Sequence, residues 1–515
     1  MKQNNQHRPY DPEAPRQHQR TQPREDYPRD DRRERDAYRE PRREYYAPQK
    51  SAAFGRREWI IIGVVACILL ITLLVWIFKK PADDQDTELK PKTDMTDQQG
   101  HVTPSDNETE DPSQPATTQP KQQSSAQDTV DEAYRLAQMY DYDKALEMLK
   151  PLETEHPEVK QLIENINAEK GKAVRYANIT ETPHVFFHSL IVDTAKAFDG
   201  DDKEPGYNQV MTTVDEFNAI IQQMYERGFV LVSIHDMVKE VTGEDGKVTF
   251  QPGDIYLPPG KKPFVLSVDD VNYYEYMTGD GFPYCLTIDE EGKIKNKYKH
   301  EDGSVEIGDF DVAPILDRFI EKHPDFSYRG AKGILALTGY EGILGYRTDE
   351  TYADKNPNFE ADKAEAKRVA EGIKANGWEF ASHSWGHIHM GTIDMEKYKI
   401  DADKWQKNVI PLIGECDTII YPFGQDITQW NEYYDPAKYE RVKILYDQGF
   451  RYFCNVDGSK AWMQYNLDTF RMGRRNLDGY RMYYDMIDDS IDMLSDLFDV
   501  NTVFDKARPT PVPPM

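Results

Sequence analysis

Hydrophobic positions are spread unevenly along the 515 residues, and their spacing changes character from one stretch to the next. Residues 1–57 carry almost no aliphatic side chains and are dense in Arg, Gln, Pro, Asp and Glu. Such a composition buries too little apolar surface to offset the entropy of ordering, so a disordered basic tail is expected. Residues 58–79 contain the uncharged run WIIIGVVACILLITLLVWIF, with Trp59 and Trp76 near its ends. Its length matches a helix crossing a hydrocarbon layer of roughly 30 Å, and ring-bearing ends suit the interface. Its depth in the chain and the following Lys79, Lys80 and Pro81 separate it from a signal peptide. Residues 80–127 are rich in Thr, Asp, Gln, Pro and Ser and are expected as a flexible linker. Over 128–175 the apolar positions Ala133, Leu136, Ala137, Ala145, Leu146, Leu149, Val159, Leu162 and Ile163 recur at helical spacing, interrupted at Pro157. A small helical stalk is expected there; YDYDKALEMLKPLETEHPE is like half of a tetratricopeptide repeat, which alone cannot bury a solenoid face.

From His184 onward amphipathic segments end at Gly and lead directly into short apolar runs. Thr213 to Glu216 has the form of a capping box, Val214, Phe217, Ile221 and Met224 share one helical face, and Gly228 stops the helix before FVLVSI. ADKAEAKRVAEGIKANG before WEFASH and KYERVKILYDQG before FRYFCNV repeat the pattern. With VFFHSL, FVLSVDD, KGILALTG, TIIYPFG and TFRMGRRN they make about eight apolar runs, the signature of parallel strands covered by helices. The expected fold is α/β, a distorted (β/α)7–8 barrel over 183–490 preceded by the stalk and the single membrane helix, although spacing alone does not separate a barrel from an open sheet. An insertion at about 273–330 carries two hairpin signals, at Gly292 and Gly303, and serves either as a lip at the barrel mouth or as a surface loop. Residues 491–515 are expected as a C-terminal tail.

The net charge of −28 conceals a basic tail and a strongly acidic remainder. Arg56 and Arg57, backed by Arg32, Arg33, Arg35, Arg39, Arg42 and Arg43, place the tail on the cytoplasmic side of the membrane and the bulk outside. An acidic outer part argues against nucleic acid as a partner. Cys67 lies in the apolar run, and Cys285, Cys416 and Cys454 are too scattered for a disulfide framework or a zinc finger.

Three of the twelve histidines fall within FASHSWGHIHM: His383, His387 and His389. In a barrel, polar groups at the C-terminal ends of strands converge on one opening, and Asp269, Asp270, His383 and His188 all sit at such ends. Two imidazoles spaced i, i+4 with one carboxylate form a facial set that zinc and similar divalent ions accept while keeping open positions. His188 and His389 are read as histidines supporting that set, or as an acid.

SVDD, HSWGH and YPFG, in this order on an α/β chain, resemble the leading motifs of the polysaccharide deacetylases, the NodB-like carbohydrate esterases, over about His184 to Asp488. The resemblance implies a divalent metal held by Asp270, His383 and His387, with zinc expected and cobalt, manganese or iron as alternatives. It also implies Asp269 as catalytic base and a backbone N–H at Phe423 as oxyanion donor, while Trp385, Tyr421, Pro422 and Arg474 are candidates for the substrate pocket. The activity implied is removal of N-acetyl groups from an envelope or cell-wall glycan by a membrane-anchored bacterial hydrolase, water activated by the metal attacking the acetyl carbonyl. A glycan-binding protein that keeps the metal site without catalysis is the alternative. Where the family carries an Arg that orients the base, this chain has Ile420. The family's later Asp-Trp and Leu-x-His motifs have no counterpart in NVDGSKAWMQYNLDTFRMGRRNLDGYRM, a stretch that holds Arg471, Arg474 and Arg475.

Overall fold

A computed structural model describes residues 125–154 and 156–515, which belong to one compact unit, Gln122–Met515. The tail 1–57, the apolar run 58–79 and most of the linker lie outside the described residues; among the described residues no helix is long and apolar enough to cross a membrane.

Each of the eight apolar runs forms a strand: β1 (His184–Phe187), β2 (Phe229–Leu231), β3 (Lys262–Val268), β4 (Ile334–Leu337), β5 (Glu379–Ser382), β6 (Thr418–Ile420), β7 (Tyr452–Val456) and β8 (Thr469–Asn476). Seven of them close into a parallel barrel, in the order β1, β3, β4, β5, β6, β7, β8 and back to β1. Closure between β3 and β4 involves only Ser267 and Val268 against Ile334 and Leu335, at the upper end of β3. Its lower half, Lys262–Phe264, pairs instead with β2, which wedges into the gap and distorts the barrel.

Alternation along the strands sorts the core into two layers, because successive side chains point to opposite faces. Val265, Ile334, Ala336, Ala381, Ile420, Cys454, Phe470 and Met472 fill the interior. Phe264, Leu266, Val268, Leu335, Leu337, Phe380, Ile419 and Phe453 face the surrounding helices. The helix Val214–Glu226 shows how local signals fix that outer layer. Thr213 and Glu216 cap it reciprocally, and Phe217, Ile220, Ile221 and Met224 are buried, each contributing about 1.5–3 kcal/mol relative to exposure. Gly228 follows at φ +80°, where an added Cβ would stand 2.8 Å from the Gly260 carbonyl oxygen.

Beyond β2 the chain turns beneath the barrel, and the helices Ala126–Gln138, Tyr142–Leu149 and Pro157–Lys170 complete the floor. Tyr140 stacks on Tyr328 and its hydroxyl donates to the Asp325 carbonyl (2.8 Å), so the stretch expected as a stalk packs on the barrel. His235 bridges the floor, 3.0 Å from both Glu379 at the start of β5 and Asp417 just before β6. Burial works against charge on this imidazole, but the two carboxylates outweigh it and push its pKa up to about 10.

The insertion contributes an antiparallel meander, Cys285–Ile288, Ile294–Lys299 and Val305–Gly308, with turns at Gly292 and Gly303. It braces the chain that follows Asp270: Asn296 donates to the Tyr273 hydroxyl (3.0 Å), which donates to Asp311 (2.8 Å). Residues 491–515, expected as a tail, are strapped to the barrel instead. Arg508 and Glu216, both fully buried at the side chain, pair at 2.6 Å, and Arg508 also donates to the carbonyls of Asn208 and Met211.

Arg508→Met would leave Glu216 buried without its counter-charge, and the unfolding free energy in urea should fall by about 3–5 kcal/mol. The His235 bridge makes stability pH-dependent with a definite sign. Its folded pKa of about 10 lies above the unfolded value, roughly 6.5, so its contribution is complete below the unfolded value and disappears as pH rises through about 10. His235→Asn should flatten the fall of the urea midpoint across that window.

Candidate metal centre

Inward-facing parity carries polar groups into the upper end of the barrel. Asp269 follows Val265 and Ser267 on β3, His383 follows Ala381 on β5, and Arg474 follows Phe470 and Met472 on β8. His188 follows Phe186 past the end of β1 in the same alternation. The period of two therefore places these side chains in one mouth, although they come from distant parts of the chain.

Asp270, His383 and His387 each offer a ligand atom, and these atoms all lie within 4.8 Å of one another. His383 is oriented for ligation, since its Nδ1 is 2.8 Å from the Ile420 carbonyl oxygen, which accepts the Nδ1 proton and leaves Nε2 as the lone pair. Nε2 of His387 lies 3.9 Å from Asp270 Oδ2. Burial pushes the His387 imidazole down to about 4, into the neutral form that ligates metal. An Asp/His/His donor set of this geometry fits a divalent ion with positions left open.

Asp269 does not join the three. Its carboxylate, 3% exposed, receives the Arg474 guanidinium at 2.7 and 2.9 Å, and Arg474 is itself 1% exposed. Burial alone would raise this carboxyl; the guanidinium outweighs it and holds the pKa down to about 2. Arg474, expected at the substrate pocket, thus pairs instead with this buried carboxylate, which it reaches from the last barrel strand.

The loops that present the ligands are strained. Asp270, Ser384, His387 and Phe423 have φ between +49° and +58°, a region costing non-glycine residues about 1–3 kcal/mol each. Neighbouring groups hold them there. The Tyr274 hydroxyl donates to Asp270 Oδ1 (2.8 Å), and Ser384 Oγ accepts from the Ile388 N–H (3.0 Å). Asp401, on the helix Met395–Asn408, accepts from the N–H groups of Trp385 (2.9 Å) and Gly386 (2.7 Å). Asn272 is buried and ties the Asp270 loop to β4 by donating to the Thr338 carbonyl (2.8 Å) and accepting from its N–H (2.9 Å).

The remaining expected residues fall on both sides of the site. His188 lines the same cleft as Asp270, with Nδ1 3.1 Å from the Val210 carbonyl oxygen. His389 stacks on Phe423 at 3.9 Å, and Phe423 also meets the ring of His387 at 4.5 Å. Tyr421 and Pro422 are buried rather than pocket-lining, because Tyr421 points out of the barrel and meets the Tyr434 hydroxyl at 2.9 Å. Trp385 is held between Gly339, where a Cβ would stand 2.1 Å from its ring, and Lys404, 3.9 Å above it. Asp401, Tyr274 and Asn272 are not among the residues that the sequence pointed to. Tyr274 is four residues beyond Asp270 and had a faint local signal; Asp401 lies 14 residues past His387 and had none.

No family model and no curated protein matches the chain. Solved structures that it matches are deacetylases. One, from Streptococcus pyogenes and in complex with acetate, is 13% identical with a TM-score of 0.29, over 60% of this chain and 94% of that one. Another, a polysaccharide deacetylase from Bacillus cereus, is 12% identical with a TM-score of 0.30, over 59% of this chain and 65% of the other.

The donor set and its support can be separated by metal analysis. Asp270→Ala or His383→Ala should abolish retention of a divalent ion at this cluster, measured by elemental analysis. Asp401→Asn, which touches no ligand, should weaken zinc affinity by about 10- to 100-fold in a chelator competition.

Proposed function

We propose that the protein is a metal-dependent hydrolase that removes N-acetyl groups from an envelope glycan, held at the outer face of a membrane by the apolar run 58–79. The observation that carries this reading is the convergence of Asp270, His383 and His387 within 4.8 Å, beside a buried carboxylate that belongs to none of them. An amide carbonyl is a poor electrophile and water a poor nucleophile, so both need activation. A divalent cation at the three ligands, with zinc the natural choice for two imidazoles and a carboxylate, supplies Lewis acidity to water and carbonyl alike.

The chain's own residues supply the rest. Asp269, kept ionised by Arg474, takes the proton from the attacking water. The tight turn at Phe423 offers backbone N–H donation to the developing oxyanion, oriented before reaction begins. His188, in the cleft beside Asp270, donates the proton that the departing amine requires, the role for which the later stretch of sequence has no histidine. Acetate and a free amino sugar leave. A tether through the linker 80–127 keeps the site close to an insoluble polymer that cannot diffuse to it.

Asp269→Asn should lower acetate release from N-acetylated oligosaccharides by about 10²- to 10⁴-fold while zinc content stays at the wild-type level. Wild-type protein that folds, binds zinc, cobalt, manganese or iron, and yet releases no acetate from any N-acetylated glycan would make the protein a silent glycan binder.

A further inference from the structure

Resting on the deacetylase reading, we propose that His184 is a positioning residue for the base: through Ser267 it fixes the Arg474 guanidinium that aims the Asp269 carboxylate. His184, Ser267 and Arg474 belong to β1, β3 and β8, and each is 1% exposed or less. Arg474 stands opposite His184 in register and Ser267 opposite Phe186, so the parity of the strands turns all four side chains into the barrel. Val265, Ile420, Phe470 and Met472 fill the same interior, where a polar group is stable only when hydrogen-bonded. Packing alone does not call for an imidazole there.

The ion pair has a geometric weakness that this column corrects. Both Asp269 oxygens, at 2.7 and 2.9 Å, are reached by one nitrogen, Nη1, rather than by two nitrogens in a fork. A single nitrogen can pivot. Its orientation is fixed by a further bond from Nη1 to Ser267 Oγ at 3.3 Å, and by the Phe186 ring, whose centroid lies 4.1 Å from the guanidinium carbon. His184 Nε2 meets the same Oγ at 3.0 Å.

Proton counting gives this chain a direction. Arg474 can only donate, so Ser267 Oγ accepts from it. Burial, and then the Arg474 charge, hold the His184 pKa well below its ordinary value and keep the imidazole neutral. With the ring proton on Nδ1, the Ser267 hydroxyl donates to Nε2, and of these two side chains only the Nδ1–H stays unmatched among the described residues. With the proton on Nε2, both Nδ1 and the hydroxyl hydrogen would stay unmatched, a dearer arrangement in a buried place. The chain therefore runs from Arg474 to Ser267 to His184.

The test uses the full-length, zinc-loaded chain. In wild type, proton–nitrogen correlation spectra of labelled histidine should show His184 as the Nδ1–H tautomer, and Ser267→Ala should shift its Nε2 signal. For Ser267→Ala and for His184→Phe, kcat for acetate release from an N-acetylglucosamine oligomer should fall about ten- to a hundredfold, with KM and zinc content unchanged. The double variant should be no slower than either single one, because both break one chain. His184→Gln, whose amide oxygen accepts the Ser267 proton, should stay near the wild-type rate. A lowered urea midpoint with kcat intact, losses that multiply in the double variant, or an Nε2–H tautomer in wild type overturns the inference. The tautomer is read in wild type, so the outcome does not hang on a variant that fails to fold. Absence of acetate release from wild type removes the deacetylase reading alone, and the tautomer still decides whether His184 orders the pair between Arg474 and Asp269.

Discussion

A carboxylate sealed into the mouth of a barrel keeps its charge only if a fixed positive group faces it, and here that group is Arg474 on the strand that closes the barrel. The pair makes barrel closure and the charge of that carboxylate interdependent. Arg474 reaches Asp269 because β8 pairs with β1 and β1 with β3, which brings the last strand within one side chain's length of the third. It also donates to Ser267 Oγ at 3.3 Å, and its guanidinium lies 4.1 Å from the Phe186 ring, so its position is set by three strands at once.

Around that pair, left-handed backbone is concentrated at the Asp/His/His cluster. Asp270 and His387 are both held at left-handed φ, and each is supported by a residue outside the three-residue cluster: Tyr274 for the first, and Asp401, through the adjoining backbone, for the second. Tyr274 also lines the cleft, so the support of Asp270 and the wall of the cleft are one piece of structure. The meander of the insertion acts further out, through Asn296, Tyr273 and Asp311, on the same loop.

The periphery shows comparable economy. Glu216 caps its own helix and receives Arg508 from the far end of the chain, and Arg508 in turn holds the carbonyl of Met211, a residue of the cleft. The C-terminal segment and the mouth of the barrel are thus joined through buried groups. Below, His235 ties the starts of β5 and β6 to the turn that follows β2, securing the barrel at the end opposite the site.

Much of this was legible in the chain. Short apolar runs alternating with capped amphipathic helices specify strands and helices locally, which is why the seven barrel strands, the adjoining β2 and the hairpins at Gly292 and Gly303 could be read from the residues. The i, i+4 imidazoles and the paired aspartates were visible because their spacing is short. Arg474 was visible as a residue but not as the partner of Asp269, since 205 residues separate them and only strand order in the closed barrel brings them together. Asp401, and the packing of residues 491–515 against Glu216, are of the same kind. Local sequence determined which elements form and which side chains face inward, because backbone periodicity is a property of near neighbours. The tertiary structure alone decided which inward groups meet, because that depends on how the sheet closes.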